Sequence, residues 1–342
     1  MKILTVGDRF SGVSYHRLFM PIQMMPKGYA MLTDMLTEEE LEKGYDILVV
    51  NRYIINADGH PKPAHEVTSL CKKYGVKLVV DIDDYWRLDE WHVLKPYYPV
   101  QTILDYIIAA DLVTCTNKGL QEAIISLNKN VHIIPNALPF GEDQFTDVRT
   151  ESEDGKCRFV YAAGVTHEKD VAILRNPLQR VQGDFQLSSK VHFNLCGYDE
   201  SNERTKMIWH KMVHDYTAGL KLSCTIKKAL PVGAYMNHYN EADAGIIPLV
   251  NSTFNSMKSN LKVLECAAKK IPCIASNVMP YSDCPEILKV NKQGDWYDHI
   301  KTLAKSEATR KKIGLANYQW AKANHDLKEW NLIRHDLYKT IL

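Results

Sequence analysis

Residues 255–268 predict a turn followed by a helix, and basic side chains flank the start of that helix. Ser259 and Asn260 are the candidate N-cap residues, with Lys258 just before the helix and Lys262 in its first turn. Four apolar residues then recur at helical spacing and predict a buried face: Leu261, Leu264, Ala267 and Ala268. A helix start presents unpaired N–H groups and a partial positive charge, so it can hold a phosphate. The stretch therefore predicts an anion site.

Glu265 lies on the side of this predicted helix opposite to its apolar face. From that position its carboxylate can accept hydrogen bonds from a sugar hydroxyl. The alternative is an ordinary amphipathic helix whose lysine and glutamate side chains are solvated. Pro272 is expected to end the helix, and residues 271–276 predict a short buried strand.

Three carboxylates follow another predicted strand at residues 77–81, namely Asp81, Asp83 and Asp84. Ligands of open α/β sheets bind at the carboxyl ends of strands, so Asp83 and Asp84 are candidates for acceptor binding or for a catalytic base. Oxygen ligands also suit Mg²⁺, and helix capping with solvation is a further alternative. His16, in the loop region after the first strand, is a weaker catalytic candidate that could equally be a surface histidine.

The elements that would position these residues alternate between strands and helices. Buried strands are predicted in the first half at residues 2–6, 46–51, 77–81, 111–116 and 131–136. The second half repeats the pattern at residues 159–164, 191–197, 223–226, 243–249 and 271–276. Such alternation predicts an α/β protein with doubly wound parallel sheets, and the polar stretch 141–156 predicts an interdomain linker.

Charge and composition narrow the classes of partner. The net charge of the 342 residues is +1, which argues against a general affinity for polyanions. Positions 1–150 hold 15 basic and 20 acidic residues, against 27 and 21 in the rest, so the second half suits an anionic ligand. The sequence begins as a strand and lacks an apolar run of membrane-spanning length, which predicts a cytoplasmic protein without a transmembrane segment. The eight cysteines predict buried free thiols.

Several of these segments together resemble one enzyme family. They are Glu265 with Ala267, Ala268 and residues 271–276, the run Ala-Asp-Ala-Gly-Ile-Ile-Pro-Leu at 242–249, and Ile-Pro-Asn-Ala at 134–137. This pattern is similar to that of nucleotide-sugar-dependent glycosyltransferases of the GT-B fold, especially glycosyltransferase family 4. The resemblance implies two Rossmann-like doubly wound domains facing across a cleft. It implies an acceptor-side domain at 1–148, a donor domain at 149–319 and a terminal helix, 320–342, that packs back on the first.

In that family the diphosphate rests on the helix start and a glutamate binds the ribose. The resemblance therefore implies a donor site made of Gly164, Thr166, His167, Lys169, Lys258, Ser259, Asn260, Leu261, Lys262 and Glu265. It implies no tightly bound cofactor and no metal. The donor would be a nucleoside diphosphate sugar, such as a UDP- or GDP-sugar, and the acceptor a hydroxyl of a saccharide or another molecule, with retention of configuration.

The sequence departs from the family pattern at two positions. The first of two glutamates falls on Met257, and an arginine expected after Gly164 is replaced by Val165 or Thr166. These departures leave open a non-catalytic nucleotide-sugar binding protein. A phage-type enzyme that glycosylates hydroxymethylated DNA bases is another alternative, although the acidic first half does not favour nucleic acid. A sugar-nucleotide epimerase of GT-B fold is a further alternative.

Overall fold

The computed structural model describes residues 1–26, 29–150, 154–217 and 221–342. The chain forms two compact units. The first comprises 1–137, 257–259 and 325–342, and the second comprises 138–256 and 260–324. The predicted linker 141–156 includes residues 151–153, which lie outside the described residues. Domain boundaries at 148 and 319 stay a prediction.

Each unit contains a six-stranded parallel sheet. The first sheet consists of β1 (Ile3–Val6), β2 (Ala30–Thr33), β3 (Ile47–Asn51), β4 (Lys77–Ile82), β5 (Leu112–Cys115) and β6 (Val131–Ile133). The second consists of β7 (Cys157–Ala162), β8 (Val191–Tyr198), β9 (Cys224–Lys228), β10 (Ala244–Ile247), β11 (Cys273–Ser276) and β12 (Leu288–Val290).

Helices connect the strands. Those before the second sheet are α1 (Gly12–Ser14), α2 (Met20–Gln23), α3 (Glu38–Glu42), α4 (Ala64–Tyr74), α5 (Val100–Ala109) and α6 (Lys118–Ile124). The others are α7 (Glu168–Ala172), α8 (Arg175–Gly183), α9 (Phe185–Ser188), α10 (Glu203–Thr217), α11 (Thr253–Ser256), α12 (Leu261–Ala268), α13 (Gln293–Lys305), α14 (Glu307–His325) and α15 (Leu327–Lys339). A π-helix spans Tyr15–Phe19, and 3-10 turns span Lys95–Tyr97, Asp143–Phe145, Val165–His167 and Tyr235–Tyr239.

The first sheet is buried on both faces. Along β3, Leu48 and Val50 enter one apolar cluster, whereas Ile47 and Val49 enter another. Because successive side chains of a strand point to opposite faces, a strand covered on both sides needs a continuous apolar run. Tyr338 of α15 belongs to the second of these clusters, so the end of the chain completes the core of the first unit.

The strand orders place a topological switch in each sheet. The first order is β2-β1-β3-β4-β5-β6 and the second is β12-β11-β10-β7-β8-β9. The winding reverses between β1 and β3 in the first sheet and between β7 and β10 in the second. Ligands of doubly wound sheets bind outside the carboxyl ends of the strands at such a point.

The predicted fold class, α/β with two Rossmann-like doubly wound domains, is confirmed, and so are the burial and the free state of the cysteines, of which only Cys224 is half-buried. Two strands, β2 and β12, were not predicted. Both lie at sheet edges and are largely half-exposed, so neither needs the apolar run that identifies a buried strand. Within the described residues, no helix is long and apolar enough to cross a membrane.

Candidate functional site

A buried ion pair lies at the carboxyl end of β4 in the first unit. Arg17, on the π-helix, donates to Asp81 through Nε at 2.8 Å and through Nη2 at 2.7 Å. Thr114 and Asn51 also donate to the Asp81 carboxylate. The Arg17 and Asp81 side chains are only 2% and 5% exposed. The Asp81 carboxylate is therefore bound by partners inside the protein. The two carboxylates that follow, Asp83 and Asp84, have a different partner.

Arg52 binds both of those carboxylates. Its Nε and Nη2 form a two-point contact with Asp83 at 2.8 and 2.7 Å, and Nη2 also lies 3.2 Å from Asp84. Burial alone would favour the neutral acid of Asp83. The charge of Arg52 and the hydrogen bonds from Arg52 and Asn51 nevertheless keep the pKa of Asp83 below its ordinary value. Arg52 holds this position with a φ of 60°, a left-handed conformation that is costly for a side chain of this kind.

The short segment 257–259 belongs to the first unit and contains two predicted donor-site residues. Lys258 Nζ lies 3.6 Å from Asp84 Oδ2. The side-chain amide of Asn117 donates to the main-chain oxygens of Met257 and Lys258 at 2.7 and 3.2 Å. Ser259 Oγ accepts a 2.7 Å hydrogen bond from Asn136 Nδ2. The segment is therefore held by side chains from three loops of the first unit.

His16, the third catalytic candidate, is buried within the π-helix. Its ring packs edge-on against Tyr15, with the ring centroids 5.1 Å apart. This burial favours a packing role over a surface position, and a catalytic role for His16 stays a prediction.

The predicted helix is confirmed as α12, and so is one of its two N-cap candidates. Asn260 occupies the N-cap position, and its side chain makes no capping hydrogen bond to the first turn. Ser259 is not the N-cap, because its hydroxyl is turned toward Asn136.

Two candidate segments of the second unit meet at its topological switch. Lys262, in the first turn of α12, donates through Nζ to the main-chain oxygen of Ala162, the last residue of β7. Thr166 and His167 follow directly in the 3-10 turn Val165–His167, and Gly164 is the N-cap of that turn. Lys169 is exposed on α7. The start of α12 and this turn therefore share one end of the sheet.

Asp170 joins the His167 turn to the loop after β10. Its buried carboxylate lies 2.7 Å from His167 Nδ1 and accepts a 2.7 Å hydrogen bond from the N–H of Val250. The amide of Asn255, at 3.5 Å, approaches the same oxygen as Val250. Since a carboxylate only accepts, His167 Nδ1 carries the proton, which fixes the tautomer and the orientation of the ring.

The structure corrects the predicted environment of Glu265. The side chain was expected on the side of the helix opposite to its apolar face, but Glu265 is only 4% exposed, and its Oε2 accepts a 2.6 Å hydrogen bond from the hydroxyl of Tyr239. Burial and the neighbouring carboxylate raise the pKa of Tyr239 well above its ordinary value, so the phenol stays a donor. Every residue of α12 from Val263 to Ala268 is buried, which is why the one-face assumption was wrong.

Several residues that organise these sites were not identified as such from the sequence. Asn117, Asn136 and Tyr239 act through partners that are remote in sequence. Asn136 belongs to the Ile-Pro-Asn-Ala run that resembles the family pattern. That run marks the residue but does not predict its contacts. Among the described residues, no group of three or more His, Cys, Asp or Glu side chains is placed to hold a metal ion.

No protein-family model and no curated protein matches the sequence. Solved structures do match. A UDP-forming α,α-trehalose-phosphate synthase from Burkholderia xenovorans has a TM-score of 0.70 at 11% identity, covering 100% of this chain and 99% of that one. A sucrose-phosphate synthase from Thermosynechococcus elongatus has a TM-score of 0.67 at 12% identity, with coverage of 100% and 99%. An E. coli structure described as trehalose-6-phosphate bound with UDP-2-fluoro glucose has a TM-score of 0.69 at 10% identity, with coverage of 98% and 99%. At these identities the likeness establishes the fold, which is GT-B.

Proposed function

We propose that this protein is a glycosyltransferase, related to glycosyltransferase family 4, that transfers a sugar from a nucleoside diphosphate sugar to an acceptor hydroxyl. The observation that supports it most is the meeting of the Lys262 turn and the Gly164–Lys169 turn at the switch point of the second sheet. Parallel sheets bind ligands at that point, and both turns present groups that suit an anion. Proteins of the same fold include synthases described as UDP-forming.

The donor would occupy the second unit. The first-turn N–H groups of α12, together with the ammonium groups of Lys262 and Lys169, would neutralise the negative charge that develops on the leaving diphosphate. Such stabilisation acts on the transition state because the charge on the departing phosphate increases as the glycosidic bond breaks. Glu265, held in place by Tyr239, would bind the ribose hydroxyls.

The acceptor would bind in the first unit near Asp84. Both oxygens of Asp83 face Arg52, so Asp83 suits a positioning role. Asp84 has one oxygen at 3.2 Å from Arg52 and a side chain that is 22% exposed, so it is better placed to receive an acceptor hydroxyl. We propose retention of configuration, with the leaving phosphate taking the acceptor proton. A double displacement through a carboxylate nucleophile is the alternative route.

A thermal-shift screen of UDP, GDP, ADP, CMP and dTDP sugars tests the donor class. A ligand that binds only the folded state stabilises it by about 2.7 kcal/mol at a hundred times its Kd, so one nucleotide series should raise the melting temperature clearly. We expect the UDP or GDP series to do so. The stabilising sugar should then be hydrolysed slowly without acceptor. Stabilisation without any hydrolysis or transfer would identify a non-catalytic binding protein instead, and no stabilisation by any sugar would contradict the proposal.

A second test distinguishes the roles of Asp83 and Asp84 in the first unit. Asp84→Asn is expected to lower turnover at saturating donor by about tenfold or more, because one charged hydrogen bond to the reacting acceptor is lost, while donor affinity stays near wild type. Asp83→Asn should mainly lower stability, since it removes the charged two-point contact of the half-buried Arg52 and leaves that residue with Asp84 alone. Steady-state kinetics and thermal melts measure the two effects. Wild-type turnover in the Asp84 variant would exclude its catalytic role.

A further inference from the structure

The two strands at the switch point of the second sheet are followed by loops that lead in opposite directions. β7 and β10 pair side by side, but the chain continues from β7 to β8 and from β10 to β11, on opposite sides of that pair. The β7 loop (residues 163–167) and the β10 loop (residues 248–252) therefore diverge. Among the described residues, no main-chain hydrogen bond joins one of these loops to the other. A hydrogen-bonded link between them has to come from a side chain.

Asp170, in α7 of the same unit, provides that link. Its Oδ2 lies 2.7 Å from Nδ1 of His167, in the β7 loop. Its Oδ1 accepts a 2.7 Å hydrogen bond from the N–H of Val250, in the β10 loop, and the amide nitrogen of Asn255 lies 3.5 Å from the same oxygen. Asp170 is only 2% exposed. Because both oxygens are bound below the surface, this carboxylate suits a positioning role and not a contact with a ligand.

The other contacts of the two loops hold each of them to an adjacent strand. The N–H of Ala163 donates to the main-chain oxygen of Cys196, in β8, at 3.1 Å. The N–H of Leu249 donates to Oγ of Ser276, the last residue of β11, at 2.9 Å. The start of α12 is bonded to the last residue of β7. None of these contacts joins the two loops, so they do not replace the link that Asp170 makes.

We propose that Asp170 is a positioning residue that sets the tautomer of His167 and joins the two loops that bound the crevice at the switch point. A carboxylate only accepts, so Nδ1 of His167 carries a hydrogen and Nε2 is the acceptor of the neutral ring. Ligands of doubly wound sheets bind in that crevice, so the placement of both loops matters for binding. The consequence for nucleotide binding rests on the proposed function, whereas the tautomer and the link do not.

Asp170→Asn tests the tautomer, because it keeps the size of the side chain. The N–H groups of Val250 and Asn255 can only donate, so the new amide turns its oxygen to them and its own N–H toward His167. Nδ1 then has to accept, and the ring hydrogen moves to Nε2. Long-range proton–nitrogen correlation spectra of protein labelled in its histidine rings, at a pH at which the ring is neutral, report the change. The His167 signal is the one that His167→Ala lacks. An unchanged tautomer in Asp170→Asn would overturn the first role.

Hydrogen exchange followed by mass spectrometry on the full chain tests the link without a ligand. Asp170→Ala removes both contacts, so peptides covering 163–167 and 248–252 should both exchange faster, by about fivefold or more. Asp243→Ala is a matched control, since Asp243 accepts a 2.9 Å hydrogen bond from the N–H of Arg158 at the amino ends of the same two strands. It should leave both loops as in the wild type. Acceleration confined to 248–252, or equal acceleration in β8, would overturn the link.

Calorimetry with UDP on the same proteins is the functional arm. Asp170→Asn should weaken binding by about fivefold or more relative to Asp243→Ala, the equivalent of one ordinary hydrogen bond. It should cause no further loss in a His167→Ala background, because a residue that acts through another has no effect once its partner is gone. Wild-type affinity in Asp170→Asn, or a further loss in that background, overturns this part.

The two kinds of failure are distinguishable. Wild-type protein that binds no nucleoside diphosphate would contradict the proposed function, and the spectra and the exchange rates would still decide the positioning role. Asp170→Asn keeps an acceptor for Val250, so its spectra decide the role of Asp170 even if Asp170→Ala fails to fold.

Discussion

Replacing Arg17 by methionine is expected to lower the free energy of unfolding by about 3–5 kcal/mol, because it leaves the Asp81 carboxylate buried without its charged partner. The pair is almost inaccessible to water, with side chains 2% and 5% exposed and a closest approach of 2.7 Å. Urea denaturation of wild type and variant measures the loss. Asn136 would also lose its donor from Nη1, so the effect should lie in the upper part of that range.

The first unit contains a matched control pair. Arg9 and Asp34 also approach to 2.7 Å, but their side chains are 57% and 44% exposed. Water and salt screen exposed ion pairs, so Arg9→Met should change the free energy of unfolding little. Arg17→Lys keeps the charge and loses the two-point geometry, and we expect an intermediate loss. Equal effects of Arg9→Met and Arg17→Met would show that burial does not determine the strength of the Asp81 pair.

Replacing Lys262 by methionine is expected to weaken nucleoside diphosphate binding by about tenfold to a hundredfold. A hydrogen bond to a charged group contributes about 1.5–3 kcal/mol, and Lys262 is the cation that the structure places in the first turn of α12. Isothermal titration calorimetry with UDP or GDP, whichever the sugar screen identifies, measures the change. The loss of its bond to the Ala162 oxygen should cost only about 1 kcal/mol of stability.

Lys270 is the control for that experiment, because it lies just beyond the other end of the same helix and pairs with Asp147 at 2.6 Å. Lys270→Met removes one positive charge without touching the first turn, so UDP or GDP affinity should be unchanged.

Glu265→Gln, in the same titration, should weaken binding by about tenfold if the carboxylate binds the ribose. Wild-type affinity in Lys262→Met would exclude the phosphate role of that residue, and a Glu265→Gln protein that melts early but binds normally would make Glu265 structural.

The strands of both sheets could be predicted because burial on two faces demands continuous apolar runs, as at Ile47–Asn51 and Lys77–Ile82. The two strands that were missed, β2 and β12, lie at sheet edges, where a strand needs no such run. The burial of Glu265 could not be predicted, since its partner, Tyr239, lies 26 residues earlier and nothing local marks the pair. The same holds for Asn136 and Ser259, which are 123 residues apart. Local patterns predict which residues form an element, whereas these polar partners are chosen by the packing of distant segments.

The packing of α15 into the first unit has a consequence for biosynthesis. Tyr338 shares a core with Ile3 and Val79, and the amide of Asn331 donates to the main-chain oxygen of Pro21 at 2.9 Å. A ribosome delivers the first unit's strands early and this helix only after all of the second unit has been made. Part of the core of the nascent first unit therefore stays exposed to water until α15 has been synthesised. The second unit, apart from the inserted three-residue segment 257–259, is contiguous in the chain and can fold as it emerges.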